Sequence, residues 1–364
     1  MSELRSEREI FGTPPPEPDA RRVKVTCPAG TITLSYYDNG NAAARQTLLL
    51  IHGFMDSKRC WRYVWGRLAE RFRLVAVDLP GAGESDAPDW AFIDRDRGLY
   101  AAGLLGEVVD AFVRKLQRPA KARGEPLPKT LIAVGHSLGG AILIRALTGT
   151  PETADGWIRR AVLIDALELS TPALPLTFFD AELFRATPSA LVAIGNWTPV
   201  GAALGRGFLE RIFFNDDRIP REFLEGNLAV LRDERRVACL QRIYAGILPW
   251  REDGEPDWTN RHQLFRRLCR IRKPVLLIWG AQDALVPLAH GDLLARRIPG
   301  AGYCVLDACG HAPQIERPEA TARLLARFAA SPASMARMAT GRIPGLWVEQ
   351  RLQSEKLGTG THFS

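Results

Sequence analysis

The 364-residue chain lacks the features that mark several function classes. Its six cysteines, Cys27, Cys60, Cys239, Cys269, Cys304 and Cys309, form no C-x-x-C pair, so zinc-ribbon and thioredoxin-type readings have no support. Reduced, buried thiols in a reducing compartment are expected instead. No run of about 20 apolar residues occurs, so no membrane span is expected. The first twenty residues are charged and then proline-rich (Pro14, Pro15, Pro16, Pro18), without the apolar stretch of a signal peptide. They are read as a flexible arm, and the protein as cytoplasmic. There is no H-E-x-x-H and no clustered His/Asp set, so no metal is expected. Lys and Arg number 48 against 41 Asp and Glu, a net charge of +7. The arginines are scattered, however, and no basic block is interleaved with stacking aromatics, which argues against nucleic acid as a partner.

What is present is ordinary in amount and organised in pattern. Hydrophobic residues make up 46% and charged residues 24% of the chain, as in globular proteins. The chain is long enough for a core plus an inserted or appended piece. RRVKVT and TITLSYYD flank the turn-like Pro28-Ala29-Gly30 and read as a hairpin. Continuous apolar runs then follow: TLLLIH (47–52), FRLVAVD (72–78), TLIAV (130–134) and RRAVLID (159–165). Such runs suit strands buried on both faces. Helix-like segments separate them, RCWRYVWGRLAERF and Arg97 to Leu116 among them, so a mostly parallel, doubly wound α/β sheet is expected. The alternation stops after Asp165 and resumes at PVLLIWG (274–280), YCVLDA (303–308) and a helix near 318–329. The expected organisation is an arm (1–20), a core in two parts (21–165 and 271–330), a helical insertion (166–270) and an extension (331–364). Part of that extension, GRIPGLWVEQRLQSEKL, reads as a short amphipathic helix docked through Trp347, Val348 and Leu352, or as mobile chain.

VGHSLGGA (134–141) follows the third buried strand and contains G-x-S-x-G. A serine hydroxyl is a weak nucleophile that needs a base within reach and a third group to orient the base. Six histidines are available. His136 adjoins Ser137, and neighbouring side chains on a sharp turn point apart. His52 ends a buried strand, His262 lies in the insertion, His290 opens what reads as a surface helix, and His362 is in the tail. His311 follows the last core strand, so its loop shares the carboxyl edge of the sheet with Ser137. Asp283, in WGAQDALVP, follows the preceding strand and is the expected acid; Asp165 is the runner-up. Gly81-Ala82-Gly83 also follows a strand, but Asp86 stands where a dinucleotide fingerprint has its third glycine. It is read as a structural turn, with no nucleotide or other cofactor expected.

These stretches together resemble the α/β-hydrolase family, in the branch with a helical cap: the elbow motif, the order Ser137, Asp283, His311, the LLLIHGF loop and the AVDLPGAGESDAP loop. The resemblance spans about residues 21–330. It implies Ser137 as nucleophile, His311 as base and Asp283 as its orienting acid. It also implies an oxyanion hole from the backbone N–H groups of Phe54 and Leu138, with Gly53, Gly135 and Gly139 shaping the loops and Gly140 helping the new helix pack. A serine at the elbow, where dehalogenases and epoxide hydrolases carry aspartate, points to acyl chemistry on a small to medium apolar substrate. Ten aromatics of the insertion (Phe178, Phe179, Phe184, Trp197, Phe208, Phe213, Phe214, Phe223, Tyr244 and Trp250) supply candidates for the pocket wall and for the insertion's own core. An ester hydrolase is expected first and a carbon–carbon hydrolase of the meta-cleavage-product type second. Acyl transfer, cofactor-free lyase or perhydrolase activity and non-catalytic ligand binding stay as alternatives.

Overall fold

A computed structural model describes residues 4–13, 15–94, 99–119, 125–149, 155–167, 189, 207, 210–247, 258–331 and 346–348. The hairpin is present as β1 (Ala20–Cys27) and β2 (Gly30–Asp38). The apolar runs become β3 (Thr47–Ile51), β4 (Arg73–Val77), β5 (Leu131–His136) and β6 (Ile158–Ile164), then β7 (Val275–Gly280) and β8 (Gly302–Leu306). With β9 (Leu346–Val348) they make one sheet in the order β1-β2-β4-β3-β5-β6-β7-β8-β9. The six strands from β4 to β8 in that order are parallel, and the flanking strands pair antiparallel.

Two-residue periodicity divides each inner strand between two cores. Leu49, Ile51, Val75, Val77, Ala133 and Leu163 face one layer, which includes α3 (Ala101–Gln117) and α4 (Leu138–Thr148). Leu48, Leu50, Leu74, Ala76, Val134 and Ile164 face the other, which includes α2 (Arg62–Leu68) and α10 (Pro318–Ala330). Both faces are therefore covered, which is why these strands carry almost no polar side chains. The loops after β3, β4, β5, β6, β7 and β8 all leave the same carboxyl edge.

Between β6 and β7 the described elements are helical: α5 (Arg221–Val230), α6 (Glu234–Ala245) and α7 (Trp258–Leu268). Phe178, Phe179, Phe184, Trp197, Phe208 and Trp250 lie outside the described residues. Beyond β7 come α8 (Leu288–Arg297) and α9 (Pro313–Glu316). Among the described residues, no helix is long and apolar enough to cross a membrane.

Three expectations are corrected. The arm contains α1 (Glu7–Phe11), closed by a Ser6/Glu9 capping box. The Glu7 carboxylate is buried between Arg62 and the Tyr63 hydroxyl, while Phe11 packs on the Tyr63 ring at 5.2 Å. In the extension, Leu346–Val348 is a strand paired with β8 rather than helix; it covers the edge that β8 would otherwise leave open. Cys269 is exposed, whereas the other five cysteines are buried, and all six are free thiols. His290 lies in the first turn of the expected helix, α8, with its own ring buried.

Candidate active site

Strand β5 ends at His136 and α4 begins at Leu138, so Ser137 alone turns the chain. Its backbone sits at φ 51°, ψ −114°, a region that costs a side-chain-bearing residue on the order of 1–3 kcal/mol. Hydrogen bonds hold it there: Ser137 N–H donates to the Ile164 carbonyl at 2.9 Å, and its carbonyl accepts from Leu167 N–H at 3.0 Å. The glycines are packing requirements. A Cβ on Gly135 would overlap the Gly139 carbonyl, and one on Gly139 would overlap the Ile51 carbonyl. A Cβ on Gly140 would strike Ala166. Leu138 N–H belongs to the first turn of α4, where no carbonyl within the helix can accept it.

The loop after β3 lies against this turn: a Cβ on Gly53 would come within 3.1 Å of the Ser137 Cβ. His52 sets that loop. Its Nε2 accepts from Leu79 N–H at 2.9 Å, which fixes the proton on Nδ1, and Nδ1 donates to the Gly53 carbonyl at 2.7 Å. Burial lowers the His52 pKa and keeps the ring neutral. Phe54 follows, with its ring 6.1 Å from that of Tyr244 on α6. An insertion helix thus meets the loop expected to stabilise an oxyanion. The loop after β4 is tied in by a buried ion pair, Lys58 Nζ to Asp78 Oδ2 at 2.7 Å.

Asp283 and His311 meet at this edge. His311 Nδ1 lies 2.7 Å from Asp283 Oδ2, and Asp283 Oδ1 accepts from Leu285 N–H (2.8 Å) and Val286 N–H (2.9 Å). Both side chains are buried. His136 is no base for its neighbour. Its Nε2 donates to the His311 carbonyl at 2.6 Å, and the two rings lie tilted with centroids 4.9 Å apart. Burial lowers the His136 pKa well below the usual value. His262 and His362 offer no side chain among the described residues.

Two groups that the sequence reading passed over, Glu316 and Asp56, also sit here, together with Asp165. Glu316 is buried on α9, and its carboxylate accepts from Gly310 N–H and Phe214 N–H, both at 2.9 Å. It thereby clasps the His311 loop to the segment 212–214 of the insertion, whose Ile212 carbonyl accepts from His311 N–H at 2.6 Å. Burial pushes the Glu316 carboxyl up to about 7. Asp56, two residues past Phe54, is likewise pushed up by burial to about 7. Asp165, the runner-up acid, is buried beside Asp283. The Asp165, Asp283 and His311 ligand atoms lie within 4.8 Å of one another. At 2.7 Å the Asp283–His311 pair has the spacing of a charge-assisted hydrogen bond, and Nδ1 is committed to it. A cavity of about 280 Å³ lies nearby, between α1, the Asp56–Lys58 loop and α5, and its lining includes neither Ser137 nor His311.

Comparison with known proteins agrees with this architecture. The hydrolase YugF of Bacillus subtilis, itself uncharacterized, is 27% identical over 293 residues, which cover 80% of this chain and 93% of its own. The monoacylglycerol lipase ABHD6 of Bos taurus is 23% identical over 296 residues, 81% of this chain and 79% of its own. The structure of a thermophilic esterase from Thermogutta terrifontis superposes with a TM-score of 0.61 at 19% identity, covering 86% of this chain and 99% of that one. Residues 48–324 match the model of the alpha/beta hydrolase family, and the chain belongs to that family.

Proposed function

We propose that the protein is a serine hydrolase that cleaves an ester, or a related acyl bond, of a small to medium apolar substrate through an acyl-enzyme. The observation that carries this reading is the strained Ser137 turn, tied through the adjoining His136 to the carbonyl of a His311 whose Nδ1 is already bonded to Asp283. That bond fixes the tautomer: with the proton on Nδ1, Nε2 is bare and can take a proton from the serine hydroxyl. Ser137 Oγ then attacks the acyl carbonyl while Asp283 stabilises the imidazolium. The developing oxyanion is received by the N–H groups of Phe54 and Leu138, donors of a kind worth about 2.7–4 kcal/mol each in the barrier. His311 returns the proton to the leaving alcohol, and water repeats the sequence to free the acid. Phe54 and Tyr244 give the acyl group an apolar neighbour. Six free thiols suit a reducing, cytoplasmic setting.

The test is hydrolysis of p-nitrophenyl esters from acetate to decanoate by the wild type and by Ser137→Ala. Turnover with one chain-length optimum is expected, and the variant should lose at least about a thousandfold in kcat. A folded wild type that turns over no ester and takes no fluorophosphonate label on Ser137 would sink the reading.

A further inference from the structure

Two carboxyl groups, rather than one, end beside the His311 imidazole. Asp165 closes β6 with its backbone at φ 42° and with no exposed surface. It is clamped to the next strand: its N–H donates to the Ile278 carbonyl, and its Oδ1 accepts from Gly280 N–H, both at 2.9 Å. Among the described residues its Oδ2 meets no N–H or O–H donor, and the Asp283 carboxyl lies beside it, within 4.8 Å. A buried carboxylate oxygen left in that state is costly. Asp283 is situated differently, with three donors from Leu285, Val286 and His311. Two buried carboxyls at this spacing do not both ionise. The negative charge settles where the donors are, and the proton settles on the carboxyl that lacks them.

We propose that Asp165 is a neutral carboxylic acid that donates its Oδ2–H to Asp283, positioning the triad carboxylate without adding a second charge. The assignment rests on the triad reading above and extends it. Burial and the neighbouring Asp283 charge both act in the required direction, raising the Asp165 pKa well above the usual range. Among the described residues, the other titratable groups facing the pair are Glu316 from α9, Cys309 from the His311 loop and His290 from α8. Burial holds the Cys309 thiol neutral and lowers the His290 pKa. One charge on the pair then matches the single charge that His311 acquires when it takes the serine proton.

Asp165→Asn separates this from a second ionised acid. Its amide keeps an acceptor for Gly280 N–H and a donor for Asp283, with no change in charge if Asp165 is already neutral. The expected kcat/KM is within about threefold of wild type, with the acid limb of its pH profile moved by less than about 0.3 unit. If Asp165 is ionised, removing its charge beside His311 drags that limb down by about a unit, and the proposal fails. An infrared difference spectrum, wild type minus Asp165→Asn at pH 7, reads the same question without substrate. A protonated carboxyl C=O stretch supports the proposal, and a carboxylate band in its place overturns it, whether or not any ester is turned over. Asp165→Ser, also a neutral donor, supplies the same subtraction if the asparagine variant does not fold.

Discussion

At the scale of single residues, the geometry around Asp283 gives the sharpest prediction. Leu285 and Val286 N–H groups fix one of its oxygens and leave the other to His311. In Asp283→Asn the amide nitrogen, which cannot accept a proton from Nδ1, takes that place and favours the wrong imidazole tautomer. A loss of about 10⁴ in kcat is expected with the fold retained, measured beside the circular dichroism spectrum. A loss under tenfold would shift the role to Asp165. The common sheet edge that carries Ser137, Asp283 and His311 was legible in the sequence because each follows a strand whose apolar run is unmistakable. Glu316 and Asp56 were not. Glu316, at the end of the four-residue α9, looks like an ordinary helix-terminal acid, and Asp56 in HGFMDS looks like a turn residue. Only three-dimensional packing brings Phe214 and Gly310 N–H onto Glu316.

At the scale of elements, burial on both faces made β3 to β8 legible, since a strand covered twice must be apolar throughout. Helix α1 and strand β9 were not legible for the opposite reason: both are short and depend on a partner far along the chain. Five residues cannot hold a helix alone, and α1 is held by Arg62 and Tyr63 of α2 and by Glu222 of α5, whose Oε2 accepts from Glu7 N–H at 2.9 Å. The loop after β4 shows the same dependence. The Asp78 carboxylate, with no exposed surface, accepts from Lys58 Nζ and N–H, each at 2.7 Å, and from Glu84 N–H at 2.9 Å. A Cβ on Gly83 would overlap this carboxylate, and Gly83 sits at φ 48°. Lys58→Met keeps the apolar stem and removes the charge, leaving Asp78 ionised and buried without its cation. A destabilisation of about 3–5 kcal/mol is expected in urea unfolding. A change below about 1 kcal/mol would mean that the backbone donors alone satisfy Asp78.

At the scale of the whole molecule, the buried ionisable groups pull the stability–pH curve in two directions. Glu316 and Asp56 have folded values near 7 against ordinary values of 4.5 and 3.8. Their folded forms bind protons more tightly than the unfolded chain. The stability each contributes is complete below its ordinary value and is lost as the pH rises through about 7. His52, His136 and His290 have lowered values and work the other way, weakening the fold as the pH drops through the ordinary histidine range. The total curve therefore mixes both signs, and a single variant isolates one. Glu316→Gln cannot ionise, so its free energy relative to wild type shifts only as Glu316 titrates. Between pH 4 and pH 8 the wild type should lose roughly 3 kcal/mol against this variant, from a rise of about 2.5 units. Lost hydrogen bonds in the variant add an offset that does not depend on pH. Urea unfolding of both proteins at closely spaced pH values measures the slope directly. A flat difference would mean that Glu316 stays ionised in the folded protein, held by the Gly310 and Phe214 N–H groups. The contact between the His311 loop and the insertion would then rest on a charge instead of a neutral acid.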